Sequence, residues 1–443
     1  MYDVITQRRV TALLVVVTVV AVGLIGLELT RPRSESTSAT APPGPSATPV
    51  SSSAAPTSTP TVVDEPFDPD APIPGCASVE KPGSSTTYSA FASTGQQSYD
   101  NPKFPWFSAS KATAMSQAVV GDLPDGADVV FAPPSRSFVF EPIFDYGDDA
   151  PDDIGGTTTA SGAITRGSAI GTMFVSVRKA DRPIPACVAG ELDARRTMPD
   201  GTVVDVHDTW TETDGRRRLS RTANAYAGDG SWIGAQADDR RSATGDDFSG
   251  QVPLTVDELV AVVTDERLRV TASVPPGTPA PRKDCVTALD EKGPPVTREQ
   301  AARLDAVLAG VDLGGRRFLP LQPADSSDSS LCTSTVPDGN PTSVDIVITG
   351  GQSPPTPRRP EPFSDPGNTT TLPDGTVLET RRDAGSSGLT TSGERTVPET
   401  GATAVVTRPS GTQVTVSSRA AVPMPPLPDA TLQSIALTPG LEF

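Results

Sequence analysis

Hydrophobic positions fall into three regimes along this chain. From Val10 to Leu27 they are continuous, VTALLVVVTVVAVGLIGL, interrupted only by small or neutral residues and carrying no charge. As a helix rising ~1.5 Å per residue this run covers ~27 Å, close to the hydrocarbon thickness of a bilayer. From residue 31 to 75 large apolar side chains nearly vanish. Pro, Ser, Thr and Ala dominate there, and apart from Val50 no bulky apolar residue returns until Val62, Val63 and Phe67. Such a composition buries too little surface to offset ordering entropy, so it predicts a disordered linker. Beyond Cys76 the apolar positions become periodic, with helical and strand spacings alternating between clusters of turn residues.

Two helical stripes stand out in that third region. Ala112, Met115, Val119 and Leu123 mark one face of a helix from Ser110 to Leu123. Thr297-Arg298-Glu299-Gln300 has the form of a capping box, and Ala301, Leu304, Val307, Leu308 and Val311 continue it on one face. Strand-like runs follow each helix. After the first come ADVVFA, SFVFEPIF, TMFVSVR and GTVVDVHDTW; after the second come RRFLPL, VDIVIT from Val344, GTVLET, ATAVVT and QVTVSS. Helix first, then strands, then a short closing helix describes both units, which is an α+β class.

The two units also echo each other residue by residue. Thr197 to Val206 is TMPDGTVVDV, and Thr371 to Thr380 is TLPDGTVLET. A second hairpin signal follows each, AYAGDGSWIGA around Asp229 and VTRPSGTQVTV around Ser410. Leu254, Leu259 and Leu268 then keep the spacing of Leu427, Leu432 and Leu441. This is the signature of a duplicated supersecondary unit. Pro-Asp-Gly triplets begin at Pro124, Pro199, Pro337 and Pro373, where Pro fixes φ, Asp bonds its own backbone and Gly accepts positive φ. They are turn chemistry. The expected organisation is a cytoplasmic tail at 1–9, a transmembrane signal anchor at 10–29, a disordered linker at 30–75, and tandem related α+β domains at 76–280 and 281–443, each a helix packed on a mainly antiparallel sheet.

Motif order carries a resemblance. Leu372 to Leu378, Arg408 to Ser418 and Pro426 to Leu441, with a looser copy at Met198 to Val204 and Asp229 to Leu268, resemble a family of uncharacterised, membrane-anchored or secreted actinobacterial proteins with a small α+β domain. The resemblance implies an extracytoplasmic location and no particular activity. The first unit departs from the pattern by lacking Arg-Pro before its second turn.

Charge and cysteines narrow the setting. The formal net charge is -18, with 47 Pro and 38 Gly beside only 13 Phe, 5 Tyr and 3 Trp. Such a surface repels phosphate backbones and anionic headgroups, so no nucleic-acid partner is expected. Arg8 and Arg9 precede the apolar run, but Arg31 and Arg33 follow it, which weakens the positive-inside signal. The run exceeds the usual core of a cleavable signal peptide, so an uncleaved anchor is expected, with the C-terminal domains outside the plasma membrane. Cys76, Cys187, Cys285 and Cys332 show no C-x-x-C spacing, which disfavours zinc. Of three possible connectivities, duplication favours one bridge per unit, Cys76 to Cys187 and Cys285 to Cys332.

Candidate chemistry is sparse. One His, His207, excludes every site needing two, and alternation places it with Val203 and Asp205, opposite Val204 and Val206. A Ser/His/Asp triad would lack the G-x-S-x-G elbow. Asp145, Asp148, Asp149, Asp152 and Asp153 form an acidic loop that offers oxygen ligands for calcium, without the order of an EF-hand. Asp238-Asp239 and Asp246-Asp247 bracket Arg240-Arg241 as a polar hairpin tip. Trp210 and Trp232 are expected to pack in a core. No catalytic residue and no cofactor emerge. The expected role is a non-enzymatic binding or interaction module for another envelope protein or polymer. The alternatives are an extracytoplasmic hydrolase with a carboxylate-based site and an envelope sensor.

Overall fold

The computed structural model describes residues 61–83, 96–146, 156–180, 183–242, 247–285, 293–325, 327–336, 342–354, 368–386 and 398–443. The expected tail, the anchor at 10–29 and the linker up to residue 60 lie outside the described residues. Among those described, no helix is long and apolar enough to cross a membrane.

Two large antiparallel sheets and four α-helices dominate the described fold, beside two short two-stranded pairings, Val79–Glu80 parallel to Cys187–Val188 and Gln96–Gln97 antiparallel to Phe144–Asp145. The first sheet holds β1 (Val62–Asp64), β2 (Ala127–Val129), β3 (Thr157–Arg166), β4 (Ala169–Lys179), β5 (Ala194–Thr197), β6 (Val203–Thr213), β7 (Arg216–Tyr226) and β8 (Ser231–Asp238). The second holds β9 (Gln322–Ala324), β10 (Ser327–Ser334), β11 (Thr342–Thr349), β12 (Asn368–Thr371), β13 (Val377–Ser386), β14 (Glu399–Thr407) and β15 (Gln413–Ala421). Helices α1 (Ala109–Gly121) and α2 (Val256–Thr264) flank the strands of the first unit; α3 (Arg298–Leu308) and α4 (Asp429–Ala436) flank those of the second.

Strand order repeats between the sheets. The first runs β2-β3-β4-β8-β7-β6-β5, the second β9-β10-β11-β15-β14-β13-β12, so the two sheets share one order, each strand matching the one whose label is seven higher. Turn geometry repeats too. Met198 N–H donates to the Thr202 carbonyl at 2.8 Å and Leu372 N–H to that of Thr376 at 2.8 Å, while Gly201 and Gly375 both take φ of 85°. This is a type I turn closed by a left-handed glycine, the geometry Pro-Asp-Gly favours. The Asp200 and Asp374 side chains accept from Thr202 and Thr376 N–H at 3.0 and 2.9 Å, and those backbone bonds hold both carboxyls below their ordinary pKa. The second hairpins match as well, with φ of 83° at both Gly230 and Gly411.

Each sheet buries one face under its own helices. In the first unit Ala112, Met115 and Val119 of α1 and Leu259, Val262 and Val263 of α2 meet Ile164, Val175, Val177, Val204, Val206, Ile233 and Ala235. In the second, Ala301, Leu304 and Leu308 of α3 and Leu432 and Ile435 of α4 meet Leu331, Ile346, Ile348, Ala404, Val406, Val414 and Val416. Real capping boxes start α2, at Thr255 with Glu258, and α3, at Thr297 with Gln300. Leu254, Leu259 and Leu268 are at most 1% exposed, as are Leu432 and Leu441; Leu427 packs at the margin of its core. The echo in sequence is therefore an echo of buried positions.

Three expectations change. Val62–Asp64, placed in the linker on composition, forms β1 and pairs with Thr211–Thr213 on the edge of β6, beyond the stretch that β5 covers. Strand addition needs only main-chain bonds, which low hydrophobicity does not prevent; Glu65 N–H donates to the Trp210 carbonyl at 3.2 Å and Asp214 N–H to that of Thr61 at 3.0 Å. SFVFEPIF, expected as a strand, is irregular apart from Phe144. Phe138 takes φ of 59°, which breaks alternation and buries Phe138, Phe140 and Ile143 together. RRFLPL contributes only an isolated bridge from Phe318 to Thr335, and the adjoining strand is instead the polar β10.

Gly162 on β3 makes room for the Phe138 ring, since a Cβ there would lie 2.6 Å from it. Gly162→Val is expected to destabilise the first unit by about 1–3 kcal/mol through overpacking. Urea denaturation of the chain checks this; an unchanged midpoint would mean the ring is not fixed there.

Both predicted disulfides are formed, Cys76 with Cys187 and Cys285 with Cys332, at Cα separations of 6.2 and 6.4 Å. They do not occupy equivalent places. The first ties the N-terminal segment to the loop before β5, around a small cluster of Ile73, Cys187 and Leu192. The second ties the lead into the second unit to β10. Chain isolated from intact cells and denatured without reductant is expected to show no alkylatable thiol; four reactive thiols would place the domains in a reducing compartment.

Candidate functional site

Sequence-derived candidates are scattered rather than gathered. Asp145 accepts from Lys103 Nζ at 3.1 Å and from Asn101 Nδ2 at 3.3 Å, so it is held in a local polar cluster. The rest of the proposed calcium loop, Asp148, Asp149, Asp152 and Asp153, lies outside the described residues. Among the described residues no group of three His, Cys, Asp or Glu side chains is arranged to hold a metal ion. His207 sits on β6 with Asp205, opposite buried Val204 and Val206, as alternation requires. Its Nδ1 lies 3.3 Å from an Asp193 carboxylate oxygen. Trp210 and Trp232 belong to strands that both pair with β7, yet neither enters the main core. Arg217 lies over Trp210 at 3.7 Å, and Arg178 over Trp232 at 4.4 Å.

Strand registers assemble a continuous surface on the face of the first sheet away from α1 and α2. One row across it is Ser161, Phe174, Gln236, Thr222 and His207. Two residues along one direction, Ser176, Gly234, Asn224, Asp205 and Arg195 form the next row. In the other direction come Thr172, Asp238, Ser220 and Thr209, then Arg218 with Thr211, then Arg216 with Thr213. Side chains two apart share a face, so hydroxyl, amide, aromatic and guanidinium groups are displayed together.

The acids on that face are internally engaged. Arg195 clasps Asp205 with Nε to Oδ1 at 2.6 Å and Nη2 to Oδ2 at 2.8 Å, and also reaches the Pro185 carbonyl at 2.7 Å. Asp238 accepts from Thr172 Oγ1 at 2.6 Å and from Arg240 N–H at 3.1 Å. Gly234 is a strand glycine because Trp232 lies across it; a Cβ there would sit 2.9 Å from Asn224 Oδ1 and 3.2 Å from the indole.

A second concentration of polar groups marks the junction of the units. Ser135 donates from its N–H to Asp284 at 3.2 Å and from Oγ to Asp325 at 2.9 Å. Arg298 reaches the Val129 carbonyl at 3.3 Å and covers Phe131, which packs into the second core. Burial and the neighbouring Asp284 and Asp325 charges push the Glu141 carboxyl up, and burial pushes Asp284 up. These acids come from residues far apart in sequence with no motif among them, so no pattern search could have grouped them.

Two further titratable groups serve the fold. Lys111 on α1 is 2% exposed and donates to the carbonyls of Arg269 (2.8 Å) and Ala272; burial lowers its pKa to about 8. Asp122 follows α1 and Asp265 follows α2, so two carboxylates meet at helix C-termini beside Arg267. Burial, then the adjacent Asp265, pushes Asp122 up to about 6 against the opposing pull of Arg267. A carboxyl whose folded pKa exceeds its unfolded value adds stability that is complete below about pH 4 and lost as pH rises through about 6. Asp122→Asn is expected to remove that loss and to raise stability at pH 7 by about 1–2 kcal/mol, since the exposed Arg267 contact contributes little. Denaturation midpoints at pH 4.5 and 7 check this; parallel pH dependence in both chains would contradict it.

The comparisons with known proteins decide nothing further: no family model, no curated protein and no solved structure matches this chain.

Proposed function

We propose that this chain is a single-pass, membrane-anchored extracytoplasmic protein whose folded part acts as a non-enzymatic binding module at the cell envelope. In this reading the anchor at 10–29 and the linker up to residue 60 present two units made by duplication of one α+β element, related to the actinobacterial proteins its motifs resemble. The observation that carries the reading is the one-sided layering of both sheets. Among the described residues α1 to α4 all pack into the two cores; on the opposite faces Ser176, Ser220, Asp238, Thr349 and Thr403 are buried, while Phe174, Thr222, Gln236, Arg216, Thr415 and Arg419 remain partly or fully exposed. Helix cover on one face satisfies folding, and the exposed part of the remaining face is what a partner would meet. Two disulfides support an oxidising, exterior location.

Incubation of the purified chain with envelope polymers, peptides and esters tests the non-enzymatic part. No turnover is expected; turnover abolished by a single substitution would overturn the reading. The junction favours one alternative, a hydrolase using carboxylates, because Glu141 and Asp284 both hold protons more tightly than an ordinary acid there. Glu141→Gln and Asp284→Asn are the substitutions that would abolish such activity.

A further inference from the structure

The face of the first sheet away from its helices carries two arginines that no carboxylate among the described residues engages, with Asp64 of β1 across Thr211 in the same row as Arg218. The chain carries -18 overall, yet on this face the buried Asp205 and Asp238 are satisfied internally, while Arg216 and Arg218 have no carboxylate within ion-pair distance among the described residues. Arg218 Nε is buried with no hydrogen-bond partner among them. Arg216 is exposed and Arg218 partly exposed, so both guanidinium groups can be reached by an anionic ligand. Its partner across β6 is Thr211, and Arg216 stands one row further, opposite Thr213.

Toward the centre of the sheet the chemistry changes. Four residues along β7 from Arg218 comes Thr222, paired with Gln236, which in turn pairs with the partly exposed Phe174. By strand rise, Thr222 to Arg216 spans ~20 Å. Planar guanidinium groups suit carboxylate or phosphate, amide and hydroxyl groups suit sugar hydroxyls, and an aromatic edge suits the apolar side of a sugar ring.

Resting on the binding-module reading, we propose that this face binds a sparsely charged acidic glycan, with Arg216 and Arg218 taking its anionic groups and Phe174, Thr222 and Gln236 taking neutral sugar. The overall charge sets the sparseness. A densely charged polyanion is repelled by the remaining surface, whereas at physiological salt that repulsion is screened beyond ~8 Å and a few local arginines decide the contact. The same argument disfavours an anionic membrane, a broad plane of charge facing an acidic protein.

The test uses the full chain in neutral detergent at 0.15 M salt, with hyaluronate oligosaccharides, which alternate charged and neutral sugars, as the probe. Dextran, heparin and phosphatidylglycerol vesicles are the comparison ligands. Saturable binding to hyaluronate, absent with dextran and weakened tenfold or more by Arg216→Gln with Arg218→Gln, is the expected result. Phe174→Ala is expected to weaken it separately, and Arg419→Gln on the second sheet to leave it unchanged. An unaltered melting temperature shows that the variants fold. No binding to hyaluronate, equal binding by the double variant, or binding only to vesicles or heparin overturns the proposal. If a protein is nonetheless captured on this face in cells, the glycan is wrong and the binding module stands. If neither is captured, both fall.

Discussion

Asp205→Ala is expected to destabilise the first unit by about 3–5 kcal/mol, because it strands a largely buried arginine. Asp205 is 8% exposed, and the Arg195 side chain only 17%. Their two parallel bonds and the Pro185 carbonyl satisfy the guanidinium, and the Asp205 hydrogen bond raises the Arg195 pKa further. Removing the acid leaves the cation desolvated with one acceptor. The backbone of the same arginine anchors the N-terminal segment, through Arg195 N–H to the Pro74 carbonyl at 2.9 Å, with Gly75 packed on the Arg195 carbonyl. Replacing both partners, as Asp205→Leu with Arg195→Met, is expected to recover most of the loss, since a matched apolar pair buries no charge. Urea titrations of the single and double variants measure both. A loss below about 1 kcal/mol in Asp205→Ala would mean the pair behaves as an exposed one.

The second large effect belongs to the first disulfide. Cys76→Ser with Cys187→Ser opens a bridge spanning 111 residues, worth about 4–5 kcal/mol in the chain-entropy model. The effect has a location. Val62 and Val63 on β1 are exposed and bury little surface, so β1 stays on the β6 edge through main-chain bonds and the tether that Cys76 provides. Without the bridge, amide hydrogens of 61–65 should exchange faster while those of β3, β4 and β8 change least. Uniform acceleration through the first sheet would show instead that the bridge stabilises the unit as a whole.

The legible parts of the fold were those repeated in the sequence. The Pro-Asp-Gly hairpins at Pro199 and Pro373, the capping box at Thr297 and the leucines of the closing segments report local geometry or burial, and each stands where its pattern predicts, while the triplet at Pro337 lies outside the described residues. Pairing the cysteines within units followed from the same repetition, although the bridges turned out not to be equivalent. Hidden elements were those whose partner is distant. β1 has no hydrophobic pattern because its pairing is main-chain, and β10 is serine-rich although mostly buried, because Ser330 hydrogen-bonds to the hydroxyls of Ser327 and Thr349. The aromatic run from Phe138 looked like a strand because alternation cannot register a positive φ. The surface joining Phe174, Thr222, Gln236 and Arg218 was unreadable for another reason: it exists only once β4, β8, β7 and β6 are placed side by side. Trp232, expected in a core, lies on that face beneath Arg178, since a strand's aromatic can be buried by a neighbouring guanidinium as well as by a helix.

The two sheets also differ in the charges they display. On the second sheet, the face away from α3 and α4 carries Asp345 on β11, Arg419 on β15 and Glu379, Arg381 and Asp383 on β13, a mixture of signs. Duplication would then have kept the scaffold and changed the display, so the two units are expected to capture different partners, or one partner by one unit only.

In-cell photocrosslinking tests the central claim most directly, with a photoreactive residue placed at Thr222 on the first sheet or Thr415 on the second, and mass spectrometry of the products. A reproducible envelope component captured from one position and not the other is the predicted result. Equal background labelling from both positions, with no saturable product, would contradict a binding module built on these faces.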